Sequence, residues 1–258
     1  MKIGTILTAT NNNIRYYNCV PLFVKAWQLI LPEADIKIIY IGNELPSALE
    51  PYKDYIIMFE PIDGMHTAFQ AQCIRLLYPR LISRQEGVLI TDMDMIPLNK
   101  SYYVDSISDI DDTYFVAYRD KLYPSEIFIC YNVALPSVWA ALFGGTHNIR
   151  DILKSWYKTI IYEDGHNKSG WSTDQAMLVK YYDEYNGPKK MLTDTYTKYM
   201  RLDRALIIDL LDKYDSTIIE IISKKIFSDY HLMLPYNCGF HLADHINNSV
   251  LEWLEMTL

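Results

Sequence analysis

Two aspartates one residue apart, Asp92 and Asp94, follow the apolar run Val88-Leu89-Ile90-Thr91. Side chains alternate along a strand, so a strand continuing through the pair puts both carboxylates on one face at its C-terminal edge. Like charges that close repel and resist burial. A cation between them is the simplest remedy. Mg²⁺ and Mn²⁺ take oxygen ligands of this kind and often carry a phosphate as another. The plain alternative is a strand-end turn with two solvated aspartates, since Asp favours turns. The unbroken apolar run before the pair and Ile96-Pro97-Leu98 after it weigh towards a built site.

Residues of this kind need elements to position them. Residues 3–10 read as a first strand, β-branched and apolar, closing in the polar turn Thr8-Ala9-Thr10-Asn11-Asn12-Asn13. A helix is expected over 16–31, with Pro21 in its first turn or kinking it. Strands follow at 36–41 and 55–59, a helix at 67–77, and a fourth strand at 88–91. Beyond the Asp pair the pattern gives strands at 114–118 and 127–131 and helices at 137–143, 149–162 and 174–185. It ends with short strands at 218–222 and 226–230 and a last helix at 247–255. Strand–helix alternation through the first half specifies an α/β fold with a mostly parallel, helix-covered sheet. Ligands bind such sheets beyond the carboxyl ends of the strands, where the turn after strand one and the Asp pair both open. No linker or repeat interrupts the chain, so residues 1–258 read as one domain. No glycine-rich phosphate loop is present, Gly4 being alone in strand one.

Composition narrows the function. The net charge is −8, from 24 basic and 32 acidic residues, without a dense basic run. That argues against a nucleic-acid backbone partner but not against a nucleotide whose phosphates a metal neutralises. Cys19, Cys73, Cys130 and Cys238 are scattered with no CxxC pair. They read as free thiols in a reducing, cytoplasmic compartment, not as zinc ligands. The apolar run after Lys2 is too short for a signal peptide. Residues 127–149 carry no charge, but Asn132, Pro136 and Gly144-Gly145 punctuate them. A buried strand and helix are expected there in place of a membrane span.

In order and spacing the chain resembles the GT-A class of nucleotide-sugar-dependent glycosyltransferases. The resemblance runs over nearly the whole length, on short motifs. Thr8-Ala9-Thr10-Asn11 stands where such enzymes hold base and ribose. The segment Ala68-Phe69-Gln70-Ala71-Gln72-Cys73-Ile74-Arg75-Leu76 looks like the helix that faces the nucleotide, with Gln72 and Arg75 on one side of it. Residues 88–98 are similar to the metal strand. Gly170-Trp171-Ser172-Thr173-Asp174-Gln175 is similar to the acceptor-side segment, and Ser228-Asp229-Tyr230-His231-Leu232 to a C-terminal Asp-x-His whose histidine is a further metal ligand. Residues 187–222 match no pattern of the family.

The resemblance implies a single GT-A domain, with a nucleotide-sugar half over about 1–98 and an acceptor half with a metal-ligand tail over about 99–258. It implies Mn²⁺ or Mg²⁺ on Asp94 and His231, with Asp92 and Met93 beside the donor. Asp92 is left between metal, ribose and sugar. It also implies a UDP-sugar ahead of a GDP-sugar as donor, and a glycan or other hydroxyl as acceptor. The ion acts as a Lewis acid on the leaving phosphate. Asp174 is the implied general base, ionised near a helix N-terminus; a mere helix-start residue is the competing reading. Arg75 pairs with the diphosphate or is an exposed helix arginine. Trp171 stacks a sugar or packs in the core, and Tyr131 and Asn132 line the acceptor pocket. Among the tail histidines His231 is preferred, His241 comes second and His245 is set aside.

Two other functions fit parts of the pattern. Haloacid-dehalogenase phosphatases also place Asp-x-Asp after an apolar strand. Theirs lies near the N-terminus and runs into Gly-Thr or a Thr/Val position, whereas Met95-Ile96-Pro97 follows here. A non-catalytic binder on the same fold would have no need of the full set Asp92, Asp94, Asp174 and a tail histidine.

Overall fold

The computed structural model describes residues 1–145, 147–165, 168–214, 217–234 and 240–257. Its centre is a seven-stranded sheet built from β1 (Ile3–Asn11), β2 (Asp35–Ile41), β3 (Ile56–Phe59), β4 (Gly87–Ile90), β6 (Phe115–Ala117), β9 (Asn132–Ala134) and β10 (Lys189–Met191). The order is β10-β6-β9-β4-β1-β2-β3. β9 alone runs antiparallel to its neighbours β4 and β6; the other pairings are parallel. All nine residues of β1 are buried, as a strand covered on both faces requires.

The Thr67–Leu77 helix packs on β1 and β2, and the Pro136–Leu142, Ile149–Tyr157 and Thr173–Glu184 helices pack around it. Trp139 fixes one of these joints by donating its indole N–H to the Val88 carbonyl at 3.1 Å. The Val20–Ile30 helix packs against β5 (Met95–Pro97) and the Phe240–Thr257 helix. β5 belongs to a second sheet, ordered β11-β12-β5, with β11 at Met200–Leu202 and β12 at Phe227–His231. A hairpin of β7 (Lys121–Tyr123) and β8 (Glu126–Ile127) completes the strands of the described residues.

Several expectations move. The helix expected over 16–31 splits into Ile14–Tyr17 and Val20–Ile30, and Pro21 sits in the first turn of the second piece. The strand expected at 127–131 breaks after Ile127, and pairing resumes at Asn132, immediately before the Pro136 helix. Residues 218–222 form a helix despite their isoleucines. Thr217 and Glu220 close a capping box that satisfies its first N–H groups. No helix among the described residues is long and apolar enough to cross a membrane. Cys19, Cys73 and Cys130 are free and buried; Cys238 lies outside the described residues.

Candidate active site

A cleft of about 480 Å³ opens where β1 and β4 end. Its walls hold most of the residues singled out from sequence: Ala9, Thr10, Asn11, Gln72, Arg75, Asp92, Met93, Asp94, Trp171, Asp174 and His231. Thr8 is not among them, being fully buried one residue further down β1. Asn132 lies below the surface too, and its amide donates to the Phe128 and Ile129 carbonyls at 2.7 and 3.0 Å. Phe128, Ile129 and Cys130 line the cleft where Tyr131 and Asn132 were expected. The break in the strand after Ile127 accounts for that shift. His241 is exposed on the C-terminal helix, away from the cleft lining.

The end of β1 is fixed by its own polar side chains. Asn11 donates to Thr67 Oγ1 at 3.0 Å and accepts from the Asn13 N–H at 3.1 Å, tying the strand to the start of the Thr67–Leu77 helix. Arg75, just over two turns along that helix, is the hub of this wall. Its guanidinium meets Asp92 Oδ1 through Nη1 and Asp174 Oδ2 through Nη2, the latter at 3.1 Å. It also donates to the Thr91 and Gln72 carbonyls, each at 3.3 Å. Gln72 accepts from the Tyr162 hydroxyl at 3.2 Å.

Asp174 is buried, and its second oxygen accepts the Gln175 N–H at 2.8 Å. Burial pushes its carboxyl up to about 6, and Arg75 offsets only part of this because Asp92 shares the same guanidinium.

The Asp pair does not sit on one strand face. The chain turns between β4 and β5, with Met95 N–H bonded to the Asp92 carbonyl at 3.3 Å, and the turn sends the two carboxylates apart. Asp92 faces Arg75. Asp94 faces the second sheet, where its Oδ2 lies 3.2 Å from His231 Nε2 and accepts Arg204 Nη2 at 2.6 Å. Burial alone would raise the Asp94 carboxyl; His231 and Arg204 outweigh it and hold the group well below the usual carboxylate range. The register of β12 on β5 makes this meeting, pairing His231 with Met95, and the Leu232 N–H closes on the Asp94 carbonyl at 2.8 Å. The repulsion anticipated between the two aspartates is thus relieved by separate basic partners.

Sequence reasoning missed those partners. Arg201 is on β11, and Arg204 opens the Arg204–Tyr214 helix, whose first turn is capped by Asp203 accepting the Leu206 N–H at 2.9 Å. Arg204 Nε also donates to the Leu232 carbonyl at 2.7 Å. Arg201 Nη2 contacts His231 Nδ1 at 2.9 Å. Behind it, Tyr131 lies between the Arg119 and Arg201 guanidiniums, 4.9 and 5.7 Å from its ring centre, and donates to the fully buried Asp229 at 2.9 Å. The available signal was a basic pair spaced three residues apart around an aspartate that can cap a helix.

The donor set can be tested for a divalent ion. No group of three or more His, Cys, Asp or Glu side chains converges among the described residues. Asp94 and His231 do converge, and an adjacent carboxylate and imidazole fit Mn²⁺ or Mg²⁺ when phosphate and water supply the remaining ligands.

With this geometry in place, the class of fold is plain: a mixed, mostly parallel sheet under helices, as in the GT-A glycosyltransferases. The apo form of the glycosyltransferase GlyE from Streptococcus pneumoniae TIGR4 matches with a TM-score of 0.54 at 14% identity, over 100% of this chain and 64% of that one. A second GlyE structure gives 0.52 at 15% identity with the same coverage, so this chain spans less than two-thirds of GlyE. The galactosyltransferase LgtC, solved with donor and acceptor sugar analogues, gives 0.50 at 13% identity over 95% of each chain. No protein-family model matches the sequence, and no curated protein matches it.

Proposed function

We propose that the protein is a glycosyltransferase that moves a sugar from a nucleotide diphosphate, UDP ahead of GDP, to a hydroxyl of a glycan or similar acceptor. The observation that carries this reading is the meeting of Asp94 and His231 at the strand ends of a GT-A fold, in a cleft that Arg75 also lines. Asp94 and His231 would hold Mn²⁺ or Mg²⁺, which as a Lewis acid would neutralise charge on the leaving diphosphate. The end of β1 offers backbone groups and a small-residue wall to the base and ribose. Asp92 remains beside the donor, its carboxylate held by Arg75. Both oxygens of Asp174 are engaged, by Arg75 and by the Gln175 N–H. This favours a role in holding Arg75 over one in taking the acceptor's proton. Trp171, Phe128 and Tyr16 give the cleft aromatic faces suited to sugar rings. The free buried thiols suit a reducing, cytoplasmic setting.

Thermal unfolding with UDP or GDP, with and without Mn²⁺, tests the reading. Stabilisation by one nucleotide that the metal enhances supports it; no stabilisation by either sinks it. Asp94→Ala should abolish metal-dependent hydrolysis of the donor, and retained hydrolysis would remove Asp94 from the metal site.

A further inference from the structure

Four aspartates (Asp92, Asp94, Asp164 and Asp174) and four arginines (Arg15, Arg75, Arg201 and Arg204) line the cleft. Carboxylates and guanidiniums are thus equal in number there. A doubly negative nucleotide-sugar arriving alone upsets that balance, and so does a divalent ion alone. The two together preserve it. The groups that must rearrange to admit them are already in contact. The Asp94 side chain is 10% exposed and Arg204 17%, so the pair is partly withdrawn from water yet open to the cleft. A guanidinium fork binds carboxylate and phosphate by the same geometry.

Resting on the donor and metal reading above, we propose that Arg204 is exchanged between two anions. In the free protein it is the counter-ion of Asp94. When a divalent ion takes that carboxylate, Arg204 turns onto the donor diphosphate. Its Nε bond to the Leu232 carbonyl is the pivot: the planar guanidinium turns as a unit about that bond and carries Nη2 off Asp94. The metal and the diphosphate each release what the other needs, so each promotes the other's binding. Arg204 lies in the stretch 187–222, where the sequence matches no pattern of the family.

The test is a set of binding measurements on the full chain and on Arg204→Gln. Mn²⁺ binding without nucleotide is followed by the paramagnetic resonance of the free ion. Binding of UDP, or of GDP if the wild type prefers it, is followed by calorimetry in EDTA. Losing a hydrogen bond to a charged group corresponds to about a tenfold effect. Arg204→Gln should therefore bind Mn²⁺ alone about tenfold more tightly and the metal-free nucleoside diphosphate about tenfold more weakly. Its affinity for the parent nucleoside, which has no phosphate, should not change. Arg15→Gln removes the same formal charge from another residue of the cleft lining, and should tighten Mn²⁺ binding by clearly less. Equal Mn²⁺ affinity in wild type and Arg204→Gln, an equal gain in Arg15→Gln, or an unchanged diphosphate affinity each overturns the exchange. If Arg204→Gln does not fold, Arg204→Met decides. A methionine keeps much of the side-chain stem but cannot pair with Asp94, so Mn²⁺ should still bind more tightly, and unchanged affinity refutes the proposal. The Mn²⁺ measurement needs no nucleotide. A wild type stabilised by neither UDP nor GDP would overturn the donor reading and with it the diphosphate half of the exchange, whereas the Mn²⁺ result tests the Asp94 half by itself.

Discussion

Replacing Asp174 by asparagine should remove a pH-dependent loss of stability near neutrality while damaging the site. The Asp174 carboxyl stands at about 6 in the folded chain against an ordinary 3.8. A folded-state value raised in this way means that the native protein holds the proton more tightly than the unfolded chain. Stability is then greatest below about pH 4, falls as pH rises towards 6, and stays lowered above it. At about 1.4 kcal/mol per pH unit, ionised Asp174 costs about 3 kcal/mol at pH 7, and about 1.3 kcal/mol of that develops between pH 5 and pH 7. Asparagine has nearly the same shape and does not titrate. The stability difference between Asp174→Asn and wild type should therefore grow in the variant's favour by about 1.3 kcal/mol from pH 5 to pH 7. Urea unfolding at matched pH values measures it as a double difference, in which effects common to both proteins cancel. Parallel pH profiles, or a difference that shrinks as pH rises, would refute the reasoning. The same substitution removes a charged partner from Arg75, so nucleotide affinity should fall.

Two further outcomes concern the scaffold. Tyr131→Phe strips the hydroxyl donor from the fully buried Asp229 and should destabilise the protein by about 1–3 kcal/mol in urea unfolding; a loss below about 0.5 kcal/mol would mean that Asp229 is satisfied by its other neighbours. Thr217→Ala opens the capping box of the Ile218–Ile222 helix, which packs on the C-terminal helix, and should cost about 1 kcal/mol by the same assay without altering nucleotide binding.

The readable parts of the chain were those governed by local pattern. β1, β2 and the Thr67–Leu77 helix lie within a residue of their expected bounds, because long apolar periodicity dominates there. The Asp pair, Arg75, Asp174 and His231 do come to one cleft. What the pattern could not supply was direction. A turn after Thr91, not a longer strand, decides which way Asp92 and Asp94 point, and turns depend on long-range pairing such as that of β12 with β5. The isoleucines at 218, 219, 221 and 222 suggested a strand, yet Thr217 and Glu220 spelled a capping box in the same sequence. Arg201 and Arg204 were invisible for another reason. A lone arginine looks the same whether it faces solvent or a buried carboxylate, and only the fold distinguishes the two.

The small sheet also imposes an order in time. Every strand of the seven-stranded sheet has been synthesised once residue 191 is made. Asp94 still lacks Arg204, His231 and the Leu232 N–H at that stage, because all three come later in the chain. A nascent chain can therefore complete its main scaffold while the cleft is unfinished. One register step of β12 along β5 would also bring Tyr230 or Leu232 opposite Met95 in place of His231. The site is thus completed only after the main sheet, and correct docking of one late strand decides whether Asp94 meets its partners.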